Sequence, residues 1–184
     1  MSSMIRRSSA SQAQVLAVPA LLLLLLPACA VSVTADREQR STSRSDLHKS
    51  LTRRVFDDIL NKGDLQVFQQ IYDPGFVKHV DGQRETLAEE IEDARATRAM
   101  ASDLVMTIDA MIAEGDQVAV RYHATGTNDG PFAGLPPTGR RITAYGMSVY
   151  RFSGGRIAEE WTTYNALDML AQLGHYPPSP ARSP

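Results

Sequence analysis

The stretch VAVRYHAT at residues 118–125 decides the fold class of this chain. Every second residue from Val118 onward is apolar or aromatic, whereas the residues between them include Arg121 and His123. Successive side chains of a strand point to opposite faces of its sheet, so this pattern predicts a β-strand with one buried face. We expect Val118 and Val120 to face the interior. His123 then lies on the outer face, although a position in a cavity stays open.

The same two-residue period continues on both sides of this strand. It predicts further strands at residues 104–110, 141–152 and 156–165, with a long loop at residues 128–139. Glycine-containing turns at residues 114–116 and 153–155 connect neighbouring strands, and such short turns are typical of β-hairpins. We therefore predict an antiparallel meander in the second half of the chain.

The first half has the period of helices instead. Leu47, Leu51, Val55 and Ile59 recur at helical spacing, and the helix should begin at Ser45 and end at Gly63. Further helices are expected just after Asp64, at about residues 85–100, and at residues 166–173, with an extended piece at residues 76–80. Helices followed by an antiparallel sheet indicate an α+β fold, with the helices packed on one face of the sheet.

The folded domain should occupy residues 46–176 of the 184 in the chain. Residues 1–28 have two arginines followed by an apolar run, which is typical of a signal peptide. The sequence Leu26-Pro27-Ala28-Cys29 resembles a bacterial lipobox, so Cys29 is the predicted site of lipidation. A plain A-x-A cleavage or an uncleaved anchor stays open. Residues 29–45 are predicted to form a polar linker, and residues 177–184 a disordered tail.

Composition and motif searches exclude several classes of function. The formal net charge is −2, so no basic surface for nucleic acid is expected. One cysteine cannot form an intrachain disulfide, and the four histidines lack metal-ligand spacing, so no metal is predicted. No G-x-S-x-G nucleophile elbow occurs.

Four pieces of the sequence together resemble one protein family. They are Asn61-x-Gly63-Asp64-Leu65 with Phe76-Val77-x-His79, Val118-Ala119-Val120-Arg121 through Gly126-Thr127, Phe132-x-Gly134-x-Pro136-Pro137-Thr138-Gly139-Arg140, and Gly155-x-Ile157-x-x-Glu160-Trp161 through Gln172-Leu173-Gly174. Their order and spacing resemble the SnoaL-like polyketide cyclases, also termed ester cyclases, of the nuclear transport factor 2-like superfamily.

The resemblance implies a cone-like curved sheet around a mostly apolar cavity, and a homodimer formed through the outer sheet face. Cyclases of this family close a ring by an intramolecular aldol step without any cofactor. Their single catalytic aspartate corresponds, by the resemblance, to Asn165, four residues after Trp161. An asparagine amide cannot take up and return a proton as a carboxylate does. The resemblance therefore implies that the family's acid-base group is replaced by an amide at Asn165.

Other residues are candidates for the acid-base and substrate-binding roles. Histidine is a common general base in enzymes, so His79 and His123 are predicted to replace the aspartate as catalytic groups, alongside Asn165. Tyr145 is predicted to bind substrate, and Tyr145 or Tyr150 could donate a hydrogen bond to an enolate; simple packing in the sheet is the alternative. Glu159 and Trp161 are also predicted to bind substrate. Glu159 and Glu160 point to opposite faces, so at most one of the two faces the cavity.

Two functions remain open from the sequence. The first is an exported enzyme that acts by proton transfer on a small apolar carbonyl compound, as cyclases and isomerases do. The second is a non-catalytic module of the cell envelope that binds a small molecule or another protein. Neither hypothesis predicts a nucleic-acid partner, and the lipid at Cys29 would attach the protein to a membrane.

Overall fold

The computed structural model describes residues 28–176, and gives side-chain burial from residue 37 onward. The chain divides into two units, Met1–Glu38 and Gln39–Pro184. Of the first unit, residues 28–38 are described, and they are helical. The predicted signal peptide, except for its last residue, and the predicted tail at residues 177–184 lie outside the described residues.

Helix α1 spans Ala28–Arg54 and continues as a π-helical segment over Val55–Asn61. The predicted start at Ser45 is therefore wrong, and the residues expected to form a polar linker belong to the helix. No glycine or proline occurs from Ala28 to Asn61, so nothing in the sequence interrupts the helix. Among residues 28–176, no helix combines the length and hydropathy that a membrane crossing requires.

After this helix, short helices and strands alternate as far as residue 100, and four strands and a last helix follow. They are α2 (Val67–Ile71), β1 (Tyr72–Val80), β2 (Gln83–Thr86), α3 (Leu87–Met100), β3 (Val105–Glu114), β4 (Gln117–Thr127), β5 (Arg141–Ser153), β6 (Arg156–Tyr164) and α4 (Ala166–Leu173). The predicted α+β class is confirmed.

The six strands form one open curved sheet with the order β2-β1-β6-β5-β4-β3. Strands β3 to β6 form the predicted antiparallel meander. The extended piece around His79 lies inside this sheet as β1, which pairs parallel to β6 and antiparallel to β2. The parallel pair was not predicted, because β1 and β6 are far apart in the sequence.

The core lies between the helices and the inner face of the sheet. Phe56, Ile59 and Phe68 from the helical part are at most 1% exposed, as are Val118 and Val120 of β4. The inner face therefore carries the apolar set that the two-residue period of β4 predicted.

Asn61 fixes the end of the π-helical segment on the sheet. Its side-chain amide donates to the carbonyl oxygen of Met106 at 2.9 Å, and its Oδ1 accepts from the Met106 N–H at 2.7 Å. Arg98 of α3 donates to the carbonyl oxygens of Leu60 and Asn61. Gly63 ends the helix with a φ of +76°, as predicted, and a side chain there would press on Arg98. These contacts hold Leu60 and Met106 in the wall of the cavity described next.

Candidate functional site

A cavity of about 490 Å³ lies between the inner face of the sheet and the helices that cover it. Its wall includes apolar side chains such as Phe56, Leu104 and Met106. Ionisable and hydroxyl-bearing side chains from β1, β5, β6 and α3 line the same cavity. The site therefore combines an apolar surface with groups that can move a proton.

The polar groups stand at paired positions on three neighbouring strands. Lys78 on β1 is paired with Glu160 on β6, and Glu160 is paired with Tyr150 on β5. Ser148 and Thr162 are also paired, two residues further along their strands. Side chains at paired positions of adjacent strands lie on the same face, so all five project into the cavity.

A β-bulge in β6 decides which of its two adjacent glutamates faces inward. Arg151 pairs with Glu159, whereas its neighbour Phe152 pairs with Ile157, so β6 has one extra residue at this point. Ile157 and Glu160 are both buried although they lie three residues apart. The prediction that Glu159 contributes to the pocket is wrong, because the bulge turns it to the outer face and places Glu160 inside.

Lys78 lies at the centre of a group of three carboxylates. Its Nζ is 2.6 Å from Glu85 Oε2 and 2.7 Å from Glu90 Oε2, and it also contacts Asp93 Oδ2. The three carboxylate oxygens lie within 4.8 Å of one another, which is close enough to surround a metal ion. The cation that they surround here is the lysine ammonium itself, whose side chain is 7% exposed.

The charges of this group are set by burial and by mutual attraction. Burial alone would lower the pKa of Lys78, but the contacts with Glu90, Asp93 and Glu85 raise it well above its usual range. Burial raises the pKa of Glu90, and Lys78 offsets only part of that effect. Lys78 is therefore a permanent cation at neutral pH, and its charge is balanced within the cavity wall.

Glu160 has a pKa near neutral pH. Burial raises the pKa of its carboxyl group to about 8, with a further upward contribution from Glu90 and a downward one from a hydrogen bond with Ser148. The residue is 5% exposed, and its Oε2 has no hydrogen-bond partner in the described part of the chain. Glu160 can therefore hold or release a proton near physiological pH, and its side chain is part of the cavity wall.

Hydroxyl groups adjoin this carboxyl. Ser148 Oγ and Thr162 Oγ1 are 2.8 Å apart, and the Tyr122 hydroxyl hydrogen-bonds with the same two side chains. The Tyr122 ring reaches this place because Gly146, opposite it on β5, has no side chain; a Cβ there would overlap the ring. These hydroxyls can donate hydrogen bonds to an oxygen atom of a bound molecule.

His79 lies on the other side of the sheet, against Trp161. The two rings stack with their centroids 5.0 Å apart. His79 Nε2 is 3.1 Å from Glu159 Oε1, and Arg151 donates to Glu159 Oε2 at 2.7 Å. Hydrogen bonds from His79 and Arg151 hold the pKa of Glu159 below its usual range. This outer-face cluster borders a separate open depression, so the predicted pocket roles of His79 and Trp161 are not supported by their position.

His123 and Tyr145 also lie on the outer face. They are paired across β4 and β5, and His123 Nδ1 is 2.8 Å from Asp109 Oδ1. The outer position predicted for His123 is confirmed, and it excludes His123 as a base inside the cavity. Tyr145 touches the rim of the cavity, but it is 62% exposed. Tyr150, in contrast, is 2% exposed and lines the cavity wall.

Asn165 is not among the residues that line the cavity, so the predicted position of its side chain inside the pocket is wrong. Its correspondence to the family's catalytic aspartate stays a prediction. Strand β6 ends at Tyr164, and Asn165 is exposed. Its Oδ1 accepts a hydrogen bond from the Asp168 N–H at 3.0 Å, which makes it the N-cap of α4. Asparagine is one of the preferred N-cap residues, so the structure gives Asn165 a role in starting α4.

Sequence reasoning therefore missed Glu160, Lys78, Glu90 and Tyr122 as members of the site. The two adjacent glutamates in β6 were the available signal, because one of them had to face inward. The burial of Lys78 could not be predicted, because a lysine next to a histidine in a short extended segment is typical of a surface strand.

An α+β chain with an open curved sheet, covering helices and a cavity between them belongs to the nuclear transport factor 2-like class of folds. Within this class, the family model for SnoaL-like polyketide cyclases matches residues 50–173. The chain belongs to the SnoaL-like polyketide cyclase family, as the resemblance predicted.

Solved structures agree with this assignment. AclR of Streptomyces galilaeus, a candidate hydroxylase, is 26% identical with a TM-score of 0.68, over 74% of this chain and 86% of that one. IdmH of Streptomyces antibioticus, a candidate polyketide cyclase, is 29% identical with a TM-score of 0.61, over 69% and 98%. A candidate SnoaL-like polyketide cyclase from Jannaschia sp. CCS1 is 23% identical with a TM-score of 0.67, over 73% and 95%, and supports the fold. Curated protein sequences give no significant match.

Proposed function

We propose that this protein catalyses proton transfer on a small carbonyl compound held in the cavity, with Glu160 as the acid-base group. The observation that carries the proposal is the buried carboxyl group of Glu160 in the cavity wall beside Ser148 and Tyr150, and burial raises its pKa to about 8. Membership of the polyketide cyclase family supports a cyclase- or isomerase-type reaction. Acid-base catalysis is most effective when the pKa of the group lies near the working pH.

The proposed reaction begins at the carbon next to the carbonyl group. The carboxylate form of Glu160 removes a proton from that carbon, which leaves an enolate and a protonated Glu160. Hydroxyl groups of Tyr122, Ser148 or Tyr150 donate to the enolate oxygen, and such donors stabilise developing negative charge. Glu160 then returns its proton to the product. The reaction needs no organic cofactor, and the apolar wall holds the rest of the substrate.

Deuterium exchange tests this proposal without knowledge of the natural substrate. The probe is 2-tetralone, a neutral bicyclic ketone, incubated with the full-length chain in D₂O and analysed by mass spectrometry. We expect exchange next to the carbonyl group above the buffer rate. The double variant His79→Gln, His123→Gln should retain it, because both histidines lie on the outer face. Exchange at the buffer rate only, as expected of a binding module, would contradict the proposal; so would its loss in the double variant.

The N-terminal sequence supports a second part of the proposal, which is export and lipid attachment at Cys29. Cys29→Ser removes the thiol that would carry the lipid, so this variant should move from the membrane fraction to the soluble fraction of host cells. Immunoblotting of the two fractions measures the change. Unchanged membrane association would contradict lipidation at Cys29. A homodimer through the outer sheet face is likewise proposed, on the resemblance alone.

A further inference from the structure

Acidic side chains outnumber basic ones in the wall of the cavity. In the part of the chain that the structure describes, its wall includes one basic side chain, Lys78, and no arginine or histidine. Five acidic side chains line it: Asp81, Glu85, Glu90, Asp93 and Glu160. Even with Glu90 and Glu160 both protonated, the wall carries more negative than positive charge.

The single cation is not available to a ligand. Lys78 Nζ lies within 2.7 Å of carboxylate oxygens of both Glu85 and Glu90, and it contacts Asp93 as well. Its ammonium group donates hydrogen bonds to Glu90 and Asp93, and its charge is also paired with that of Glu85. A bound carboxylate or phosphate would therefore find no counter-ion, and it would lie near the acidic groups in a region of low dielectric constant.

Glu160 offers a contact that suits a bound cation rather than an anion. Its Oε2 is buried in the cavity wall without a hydrogen-bond partner, while Ser148 and Tyr150 hydrogen-bond with the same carboxyl group. A buried acceptor without a donor is unfavourable, so a ligand that supplies an N–H group there removes this cost. Aromatic rings of Phe56, Tyr122 and Tyr150 also line the cavity, and their faces attract cations.

We propose that the cavity binds molecules in which a protonated amine adjoins an apolar body, and that Glu160 is the counter-ion of this amine. The inference rests on the cavity being the site of the proposed function, and it narrows the substrate class to amine-bearing carbonyl compounds. The bound ammonium group favours the carboxylate form of Glu160, which is the form that removes a proton from carbon.

Three probes of similar size and different charge test the inference: 2-phenylethylamine, 2-phenylethanol and 3-phenylpropanoate. Titration calorimetry on the full-length chain measures their affinities. We expect the amine to bind at least about tenfold more tightly than the alcohol, and the carboxylate to bind more weakly than the alcohol. The inference is overturned if the alcohol or the carboxylate binds as tightly as the amine.

Two variants locate the contact. Glu160→Gln keeps the shape of the side chain and should remove the preference for the amine, with the affinity for the alcohol unchanged. Glu159→Gln is the matched control on the outer face and should retain the preference. Survival of the preference in Glu160→Gln overturns the inference. In the unmodified chain, the amine should shift the backbone amide signals of Ser148 and Thr162 in NMR spectra, and shifts confined to His123 and Met147 would overturn it independently.

The two proposals can fail separately. The exchange probe 2-tetralone carries no amine, so exchange without any amine preference overturns only the present inference. A clear amine preference without exchange overturns only the proposed function.

Discussion

Replacing Glu160 by glutamine is expected to lower the rate of 2-tetralone exchange by about 10²–10⁴-fold, the usual contribution of a general acid-base group. Glutamine has the size and shape of glutamate but cannot accept a proton from carbon. The rate is measured by mass spectrometry at pH 8, near the pKa of about 8 that burial gives Glu160. Glu159→Gln is the control, because its carboxyl group lies on the outer face with His79 and Arg151.

The pH dependence of the same reaction provides an independent check. The carboxylate form of Glu160 is the base, so the exchange rate of the unmodified chain should rise with pH and level off above about pH 8. This inflection should be absent in Glu160→Gln and present in Glu159→Gln. A Glu160→Gln variant that exchanges within about threefold of the unmodified chain, with the inflection intact, would exclude Glu160 as the base.

The second large effect concerns stability. Lys78→Met should lower the free energy of unfolding at pH 7 by about 3–5 kcal/mol, because it leaves buried carboxylates without their cation. Glu90 and Glu85 lie within 2.7 Å of Lys78 Nζ, and the lysine side chain is 7% exposed. Methionine preserves most of the side-chain volume, so lost packing contributes little. Urea denaturation followed by circular dichroism measures the change.

Glu90 determines how the loss of stability in Lys78→Met changes with pH. Its pKa is already raised by burial, and without Lys78 the pKa of Glu90 rises further. A carboxyl group with a raised pKa in the folded state disfavours folding at pH values above its unfolded pKa, and this cost disappears as the pH falls. The deficit of Lys78→Met should therefore be smaller at pH 4 than at pH 7.

Lys62→Met is the matched control for this experiment. Lys62 also pairs with a carboxylate, Asp58 at 2.8 Å, but its side chain is 69% exposed. Exposed pairs contribute little, so Lys62→Met should have almost the same stability as the unmodified chain at both pH values. Equal effects of the two substitutions would contradict the central role of Lys78.

The two faces of the sheet present different chemistry, and this separation matters for the assignment of function. The outer face carries both histidines that sequence reasoning favours as catalysts, each held beside a carboxylate: His79 with Glu159 and His123 with Asp109. The inner face carries glutamate, lysine and hydroxyl groups. Residue type alone favours the histidines, because histidine is the usual general base of enzymes that work at neutral pH. Burial raises the pKa of Glu160 to about 8.

Local patterns were sufficient for most of the fold. Alternation along β4 predicted which face is buried, and glycine-containing turns predicted the meander of β3 to β6. Gly63 ended its helix as predicted. The parallel pairing of β1 with β6 and the start of α1 were not predictable in this way. The first depends on contacts between distant parts of the chain. The second was missed because Ser45 is a favourable N-cap residue, although no glycine or proline interrupts residues 28–61.

The sequence by itself determined the α+β class, the family and the inner face of β4, because each depends on repeated local patterns. Only the tertiary structure decided which residues form the site. A single extra residue in β6 exchanges the two faces for Glu159 and Glu160, and a two-residue period cannot show where such a bulge falls. Asn165 lies outside the cavity because β6 ends before it and its side chain caps α4. The proton affinity of Glu160 depends on its burial and on Glu90, neither of which is a property of its neighbours in the sequence.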